Sequence, residues 1–223
     1  MNAIRTPRAA TSIAARLWFL AMLSGSALPP GLAHALPVIS EVFYDAVGSD
    51  NGQSFVELYG ESGTALDGLV LEGVNGSNGA LGPIVVLSGF IPCDGVLVVA
   101  DDLGDGTTLV PHADLIANFD FQNGPDSLVL RDAGRVLDAV GYGDFGPEDI
   151  FAGEGFPAPD APSGSSLARV FADLDSDDNF ADFRVLEAPT PGSAPRTVPE
   201  PSTAVLLLSA LAGLGAMSVS RRR

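Results

Sequence analysis

Short apolar runs separated by turn-forming residues fill most of this chain. Runs of four to seven residues, rich in Val, Ile, Leu, Phe and Tyr, recur between clusters of Gly, Asp, Asn and Pro. This spacing is typical of β-strands joined by tight turns, and no sustained helical period occurs between residues 36 and 198. The sequence therefore predicts an all-β domain with strands at Val38–Tyr44, Ser54–Tyr59, Leu69–Val74, Ile84–Leu87, Val96–Ala100, Ser127–Arg131, Val136–Tyr142 and Ser166–Phe171.

Two local patterns make this prediction more specific. The run Val96–Ala100 is apolar throughout, which indicates a strand buried on both faces. Asp132-Ala133-Gly134 separates two strand-like runs, so we expect a tight hairpin there. Regular short strands with turns between them are typical of sandwiches and barrels, and we predict an immunoglobulin-like β-sandwich.

The N-terminus has the features of an export signal. Three arginines precede a short apolar run at 17–28, and Ala33 and Ala35 then form a small-x-small pattern. This order predicts a signal peptide over 1–35, cleaved by signal peptidase after Ala35. The alternative is an N-terminal anchor helix, which the short apolar run and Pro29-Pro30 disfavour.

The C-terminus has three chemically different parts in a fixed order. Pro199-Glu200-Pro201 is followed by an uncharged apolar run at 203–219 and by three terminal arginines. The run is just long enough to cross a bilayer as a single transmembrane helix, and the arginines would stay on the cytoplasmic side. The segment 199–223 resembles the PEP-CTERM sorting signal of Gram-negative bacteria.

That resemblance implies a route. An exosortase would recognise the motif and cleave near it. The protein would be exported, held transiently in the inner membrane by its C-terminal helix, and then delivered to the cell surface, the outer envelope or the extracellular matrix.

The segment between the two signals is strongly acidic. It holds 27 of the 28 acidic residues and five of the 11 basic residues, all arginines, so its formal charge is −22. Such a surface repels nucleic acid and attracts divalent cations, so we expect no nucleic-acid partner. The alternative is that the acidity serves solubility alone.

Within this segment we predict three parts. Residues 36–187 form the sandwich domain, within which 143–165 is a long surface loop with scattered phenylalanines. Residues 188–198 are rich in proline and are expected to form an extended linker that holds the domain clear of the membrane.

Cysteine and histidine are too scarce here for common catalytic or metal sites. Cys93 is the only cysteine, and His112 is the only histidine outside the signal peptide. One of each cannot build a structural zinc site, and there is no Gly-x-Ser-x-Gly nucleophile elbow. We therefore predict a turn position for Cys93, a surface loop for His112, and no catalytic residues.

The strands and their loops also resemble a known family. The pattern combines Ile39-Ser-Glu41, Phe55-Val-Glu-Leu58 and a closing Pro189-Thr-Pro-Gly192. Over roughly 38–194 it is similar to the lamin-tail domains of bacterial secreted proteins, although Leu69 stands where that family usually has an aromatic residue. The resemblance implies an immunoglobulin-like sandwich with a binding or scaffolding role and supplies no catalytic residues.

One acidic group lies in and beside the first two strands, and consists of Glu41, Asp45, Asp50 and Glu57. Glu41 and Glu57 interrupt apolar strands and need partners if they are buried. Arg169 and Arg184 are candidate partners for ion pairs, hydrogen bonds within loops would also satisfy these acids, and a calcium site is the alternative.

A second acidic group alternates Asp and Asn in a segment near the end of the domain: Asp173, Asp175, Asp177, Asn179 and Asp182. Such a segment can wrap oxygen ligands around calcium, and these five residues are the candidate metal ligands. The glycine and distal glutamate of an EF-hand are missing, and turns stabilised by Asp and Asn side chains are the alternative.

The sequence thus favours a non-enzymatic binding or structural module with an extracellular polysaccharide or protein partner. The alternative is a calcium-dependent or metal-dependent hydrolase or nuclease accessory domain.

Overall fold

The computed structural model describes residues 36–197. These residues form two β-sheets, whose strands pair mostly antiparallel, and one short helix. In chain order the elements are β1 (Val38–Phe43), β2 (Phe55–Tyr59), β3 (Leu69–Asn75), β4 (Leu81–Val86), β5 (Val96–Asp101), β6 (Leu115–Ala117), β7 (Asp126–Asp132), β8 (Arg135–Tyr142), β9 (Ser166–Arg169), α1 (Asn179–Asp182) and β10 (Phe183–Leu186).

The two sheets share one apolar core. The larger sheet has the strand order β10-β9-β1-β2-β5-β6 and the smaller has the order β4-β3-β7-β8. Val56 and Leu58 of the larger sheet belong to the same buried cluster as Leu128 and Leu130 of the smaller one. The arrangement confirms the predicted all-β class; the immunoglobulin-like and lamin-tail type stays a prediction.

Every strand predicted from the sequence is present, and two strands and the helix were not predicted. β6 has three residues and pairs parallel with β5, which is too short for a periodic signal. β10 follows directly after α1, within a segment dominated by acidic residues. In both cases pairing with a neighbouring strand, rather than local sequence, determines the structure.

β5 is buried on both faces, as predicted. All six of its residues are buried. Leu97 and Val99 face the main core, whereas Val98 on the outer face packs in a second cluster with Val110 and Ala194. Chain segments outside the sheet therefore cover the outer face of β5.

The β7–β8 hairpin also confirms its prediction. Asp132 pairs with Arg135 across the turn. Ala133 and Gly134 have φ angles of 46° and 89°, which fits a two-residue hairpin turn that needs positive φ at both positions.

The loop at 143–165 folds back onto the smaller sheet. Ala158 forms a bridge with Tyr142, and the rings of Phe145 and Phe151 meet edge to face with centroids 5.1 Å apart. Phe156, in contrast, is 69% exposed. Two of the three phenylalanines predicted in this loop thus pack together.

The segment predicted as a free linker is docked on the domain. We call residues 189–197 the strap. The amide N–H of Ala172 donates to the carbonyl of Pro195 at 2.7 Å, and Ala194 packs on the cluster over β5. The prediction of an extended spacer is therefore wrong as far as Thr197, because side chains of the domain supply bonding partners that the proline-rich pattern does not reveal.

Some predictions fall outside the described residues. These are the signal helix with Ala33 and Ala35, the Pro199-Glu200-Pro201 motif and the C-terminal apolar run. Within 36–197 none of the helices has the length and apolar character needed to cross a bilayer.

Candidate functional site

A buried arginine organises the acidic residues at one end of the sandwich. The side chain of Arg169, on β9, is fully buried. Its guanidinium nitrogens lie 2.7 Å from a carboxylate oxygen of Asp138, 2.9 Å from one of Asp182 and 3.2 Å from one of Asp175. Its Nε donates to the carbonyl of Ile39 at 2.9 Å. One cation therefore holds three carboxylates that come from separate parts of the chain.

This cluster joins the two sheets. Asp138 lies on β8 of the smaller sheet, whereas Arg169 lies in the larger one. Asp138 also accepts a hydrogen bond from the backbone N–H of Ile39 on β1 at 2.5 Å. The guanidinium lies over the ring of Phe183, 4.7 Å from its centroid. The planar fork of an arginine suits several such contacts at once, so the ion pairs act as a clamp between the sheets.

Glu154 adds a fourth acid to this cluster. Oxygens of Asp138, Glu154 and Asp175 lie within 4.8 Å of one another. Burial, with the neighbouring charges of Asp138 and Asp175, raises the pKa of Glu154 to about 8. Its buried Oε2 has no hydrogen-bond partner among the described residues. A buried carboxyl close to two other acids favours the uncharged form, which is the direction of this pKa shift.

The structure does not gather the five predicted calcium ligands at one point. Asp175 and Asp182 contact Arg169, so an arginine stands where a metal ion was expected. Asp173 accepts from Thr197, and Asp177 is exposed on the surface. Calcium binding stays a prediction, and the contacts themselves fit the alternative of local turn chemistry.

Asn179, one of the predicted calcium ligands, uses its side chain for hydrogen bonds to the backbone. Its Oδ1 accepts from the backbone N–H groups of Gly141 and Glu154, each at 2.9 Å, and its Nδ2 donates to the carbonyl of Ala139 at 2.8 Å. The residue is fully buried. It thus fastens the segment before β10 to strand β8 and to the loop that carries Glu154.

Sequence reasoning did not single out two of these residues. Asp138 is the charged residue inside the apolar run Val136–Tyr142, and a charge in such a run is a signal of a buried ion pair. Glu154 carries no comparable signal, because it lies in a loop rich in Gly, Pro and acids.

The other predicted acidic group divides into two parts. Glu41 and Glu57 are register neighbours on β1 and β2 and are each 1% exposed. Asp50 instead accepts from the N–H of Ala46 at 2.6 Å and so closes its own loop. Within the described residues Asp50 thus has a partner of its own, apart from the two glutamates, and calcium binding by this group stays a prediction.

Hydroxyl and amide groups, rather than arginines, satisfy the two glutamates. Glu41 accepts from Ser166 Oγ at 2.6 Å and from the N–H and hydroxyl of Thr190 at 2.8 and 2.7 Å. Glu57 accepts from Ser40 Oγ at 2.7 Å and from the N–H of Gly192 at 2.8 Å. Thr190 and Gly192 belong to the strap, which therefore covers both carboxylates.

The prediction that arginines pair with these two glutamates is wrong. Arg169 is engaged with Asp138, Asp175 and Asp182, and Arg184 on β10 is exposed. Burial, opposed by the bonds from Ser40 and Gly192, raises the pKa of Glu57 to about 7.

These two raised pKa values predict a dependence of stability on pH. The pKa rises from 4.5 to about 7 for Glu57 and to about 8 for Glu154, so the folded state holds both protons more tightly than the unfolded state. The resulting stabilisation is complete below pH 4.5 and is lost as the pH rises to about 8. For Glu57 the loss is roughly 3 kcal/mol.

Urea denaturation at pH 5, 6, 7 and 8 measures this effect. We expect Glu57→Gln to flatten the decline between pH 5 and 7, and Glu154→Gln to flatten it up to pH 8. The control is Glu187→Gln, which changes an exposed carboxylate and should leave the profile unchanged. A wild-type free energy of unfolding that rises steadily from pH 5 to 8 would contradict the assignment.

A cavity of about 530 Å³ opens beside the end of the strap. It is lined by Leu36, Val38, Tyr59, Gly60, Glu61, Ser62, Cys93, Asp94, Gly95, Ala172, Asp173, Asp175 and Arg196. Its volume lies within the range of ligand pockets in proteins, and its wall combines an aromatic ring with several acidic groups. This cavity is the candidate ligand site of the domain.

Cys93 lies in a turn and His112 in a surface loop, as the sequence predicted. Cys93 is an exposed free thiol at the rim of this cavity. His112 is an exposed loop residue with a φ of 60°, and its side chain lies against Gly192 of the strap.

Comparison with known proteins gives one match. Residues 197–223 match the family model of the PEP-CTERM protein-sorting motif. No curated protein and no solved structure matches the chain. The matched segment agrees with the resemblance seen in the sequence and supports export, sorting to the cell surface and processing by an exosortase.

Proposed function

We propose that this protein is a non-enzymatic binding or structural module of the cell envelope or extracellular matrix. The observation that carries the proposal is the position of the sorting motif. The matched segment begins at Thr197, which is itself hydrogen-bonded to Asp173 of the domain. A folded acidic domain is thus joined directly to a signal for sorting to the cell surface.

The use of the acidic side chains supports a role without catalysis. A metal-dependent hydrolase needs carboxylates that are available to hold a cation. Here Asp138, Asp175 and Asp182 are bound to Arg169. The formal charge of −22 between residues 36 and 198 also opposes phosphate-rich substrates.

The proposed ligand is an extracellular polysaccharide or a protein of the matrix, bound at the cavity beside Tyr59. Tyr59 offers a ring face and a hydroxyl, and Ser62 and Asp94 offer polar groups at the wall. Pockets that combine an apolar surface with a few polar groups are typical of binding sites. The resemblance to lamin-tail domains, which imply binding or scaffolding, is consistent with this role.

Binding of matrix polysaccharide by the protein recovered from cells tests the proposal. We expect retention on a column of the host's own extracellular polysaccharide or on its envelope fraction, and a loss of retention on Tyr59→Ala. Phe156→Ala is the matched control, since that aromatic ring is exposed far along the chain from the cavity. Equal retention of all three proteins would exclude the cavity, and no retention on either material would contradict the binding role.

A further inference from the structure

One residue, Val198, separates the end of the strap from Pro199-Glu200-Pro201. Thr197 donates from its N–H and its hydroxyl to the carboxylate of Asp173, at 2.7 and 2.5 Å. We infer that the Asp173–Thr197 contact holds the chain to the domain as far as the residue at which the sorting match begins, and that release of the strap precedes exosortase processing. This inference rests on the proposed function, since it concerns the processing step of that route.

Three residues of the strap bond to the domain before its end. Thr190 and Gly192 donate to the buried carboxylates of Glu41 and Glu57. Pro195 then accepts from Ala172. The strap therefore runs across the outer face of the larger sheet, and its bond to Asp173 is the last one within the described residues.

Docking limits how far the motif can extend from the domain. A chain spans at most about 3.3–3.6 Å per residue. From Thr197 to the start of the apolar run at Thr203 there are six residue steps, so the docked domain lies within about 20 Å of that run. If the strap is released from Ala188 onward there are 15 steps, and the limit rises to about 50 Å.

This limit matters to an enzyme that must bind the motif. Proteins that recognise peptides as extended chains bond to several consecutive backbone groups. With the strap docked, the residues upstream of Val198 have their backbone held by the domain. Releasing the strap frees these residues, so the released form is the better substrate.

The contacts of the strap suit a segment that detaches without unfolding the domain. Thr190, Gly192 and Thr197 are exposed, and Ala194 is the strap residue packed on an apolar cluster of the described structure. Segments with few buried apolar contacts open at lower free energy than the core. Asp173 is also exposed, so its substitution should leave the sandwich folded.

Pulse-chase labelling of the full chain in a host that has an exosortase tests the inference. Asp173→Ala removes the contact with Thr197 without changing the matched motif region, and we expect the precursor to be processed at least about fivefold faster, the lower bound for the loss of two hydrogen bonds. Asp173→Asn keeps one acceptor oxygen and should give an intermediate rate. The charge-matched control is Asp132→Ala at the exposed β7–β8 turn, which should process at the wild-type rate.

Trypsin cleavage after Arg196 in the unprocessed protein provides a second readout. We expect slow cleavage in the wild type and faster cleavage in Asp173→Ala, with the rest of the domain equally resistant in both. Equal processing rates in wild type and Asp173→Ala, despite faster cleavage after Arg196, would overturn the inference. A precursor whose C-terminus is unaffected by replacing Pro199-Glu200-Pro201 with alanines would instead refute the processing route itself.

Discussion

Replacing Arg169 by methionine is expected to unfold the domain or to lower its free energy of unfolding by about 3–5 kcal/mol. The substitution keeps much of the apolar stem and removes the charge. Asp138 and Asp182 would then stay buried, at 0% and 3% side-chain exposure, without a cation. Removing one partner of a buried ion pair is costly because the other charge is left uncompensated. Urea denaturation followed by circular dichroism measures the change.

Arg184→Met is the control for this experiment. Arg184 lies on β10, in the strand next to Arg169, but its side chain is exposed. We expect a change within about 0.5 kcal/mol, as is usual for exposed positions. Arg169→Lys should fall between the two, since an ammonium cannot reproduce the fork of contacts. Equal stability of Arg169→Met and wild type would show that the cluster does not hold the sheets together.

The second large effect concerns Asn179. Asn179→Asp is nearly isosteric, but it removes the Nδ2 donor to the carbonyl of Ala139 and places a negative charge at a fully buried position facing that carbonyl. A buried group left without a partner costs about 1–3 kcal/mol, and more when it is charged. We therefore expect a loss of about 3 kcal/mol, measured by thermal or urea denaturation at pH 7.

This substitution also separates the structural role of Asn179 from the calcium prediction. If Asn179 were a calcium ligand, an aspartate would serve at least as well, and millimolar calcium would raise the melting temperature of Asn179→Asp. Our structure predicts a destabilised protein that calcium does not rescue. Asn118→Asp, at an exposed position, is the control and should change stability little.

The periodic part of the fold could be predicted because local chemistry determines it. The alternation in Phe55–Tyr59 and the apolar run at Val96–Ala100 place side chains on faces of a sheet without further information. The turn at Ala133-Gly134 likewise follows from the need for positive φ. β6 and β10 could not be predicted, since their pairing with β5 and β9 depends on the tertiary fold.

For the acidic residues, the sequence could predict that partners are needed but could not identify them. The sequence indicates that Glu41 and Glu57 need partners, but not which ones. It offers Arg169 as a candidate because arginines are few, although that side chain lies among Asp138, Asp175 and Asp182. The donors to Glu41 and Glu57 are hydroxyl and backbone groups. Because almost every residue has a backbone N–H, the sequence does not reveal which one will donate.

The docking of the strap could be predicted from the sequence even less than the partners of the glutamates. A segment rich in proline has few local interactions and is reasonably expected to extend. Its docking depends on Glu41, Glu57 and Asp173, which lie far from it in sequence. The chain is therefore bound to the domain as far as Thr197, which shortens the longest distance that the remaining residues can span from the domain.

Delivery of this domain to the cell surface by its terminal signals can be checked by intact-mass spectrometry of the protein released from the cell surface. We expect a chain that begins at Leu36 and ends near Pro199-Glu200-Pro201, without the apolar run. A surface protein whose mass includes both residues 1–35 and the terminal arginines would contradict it.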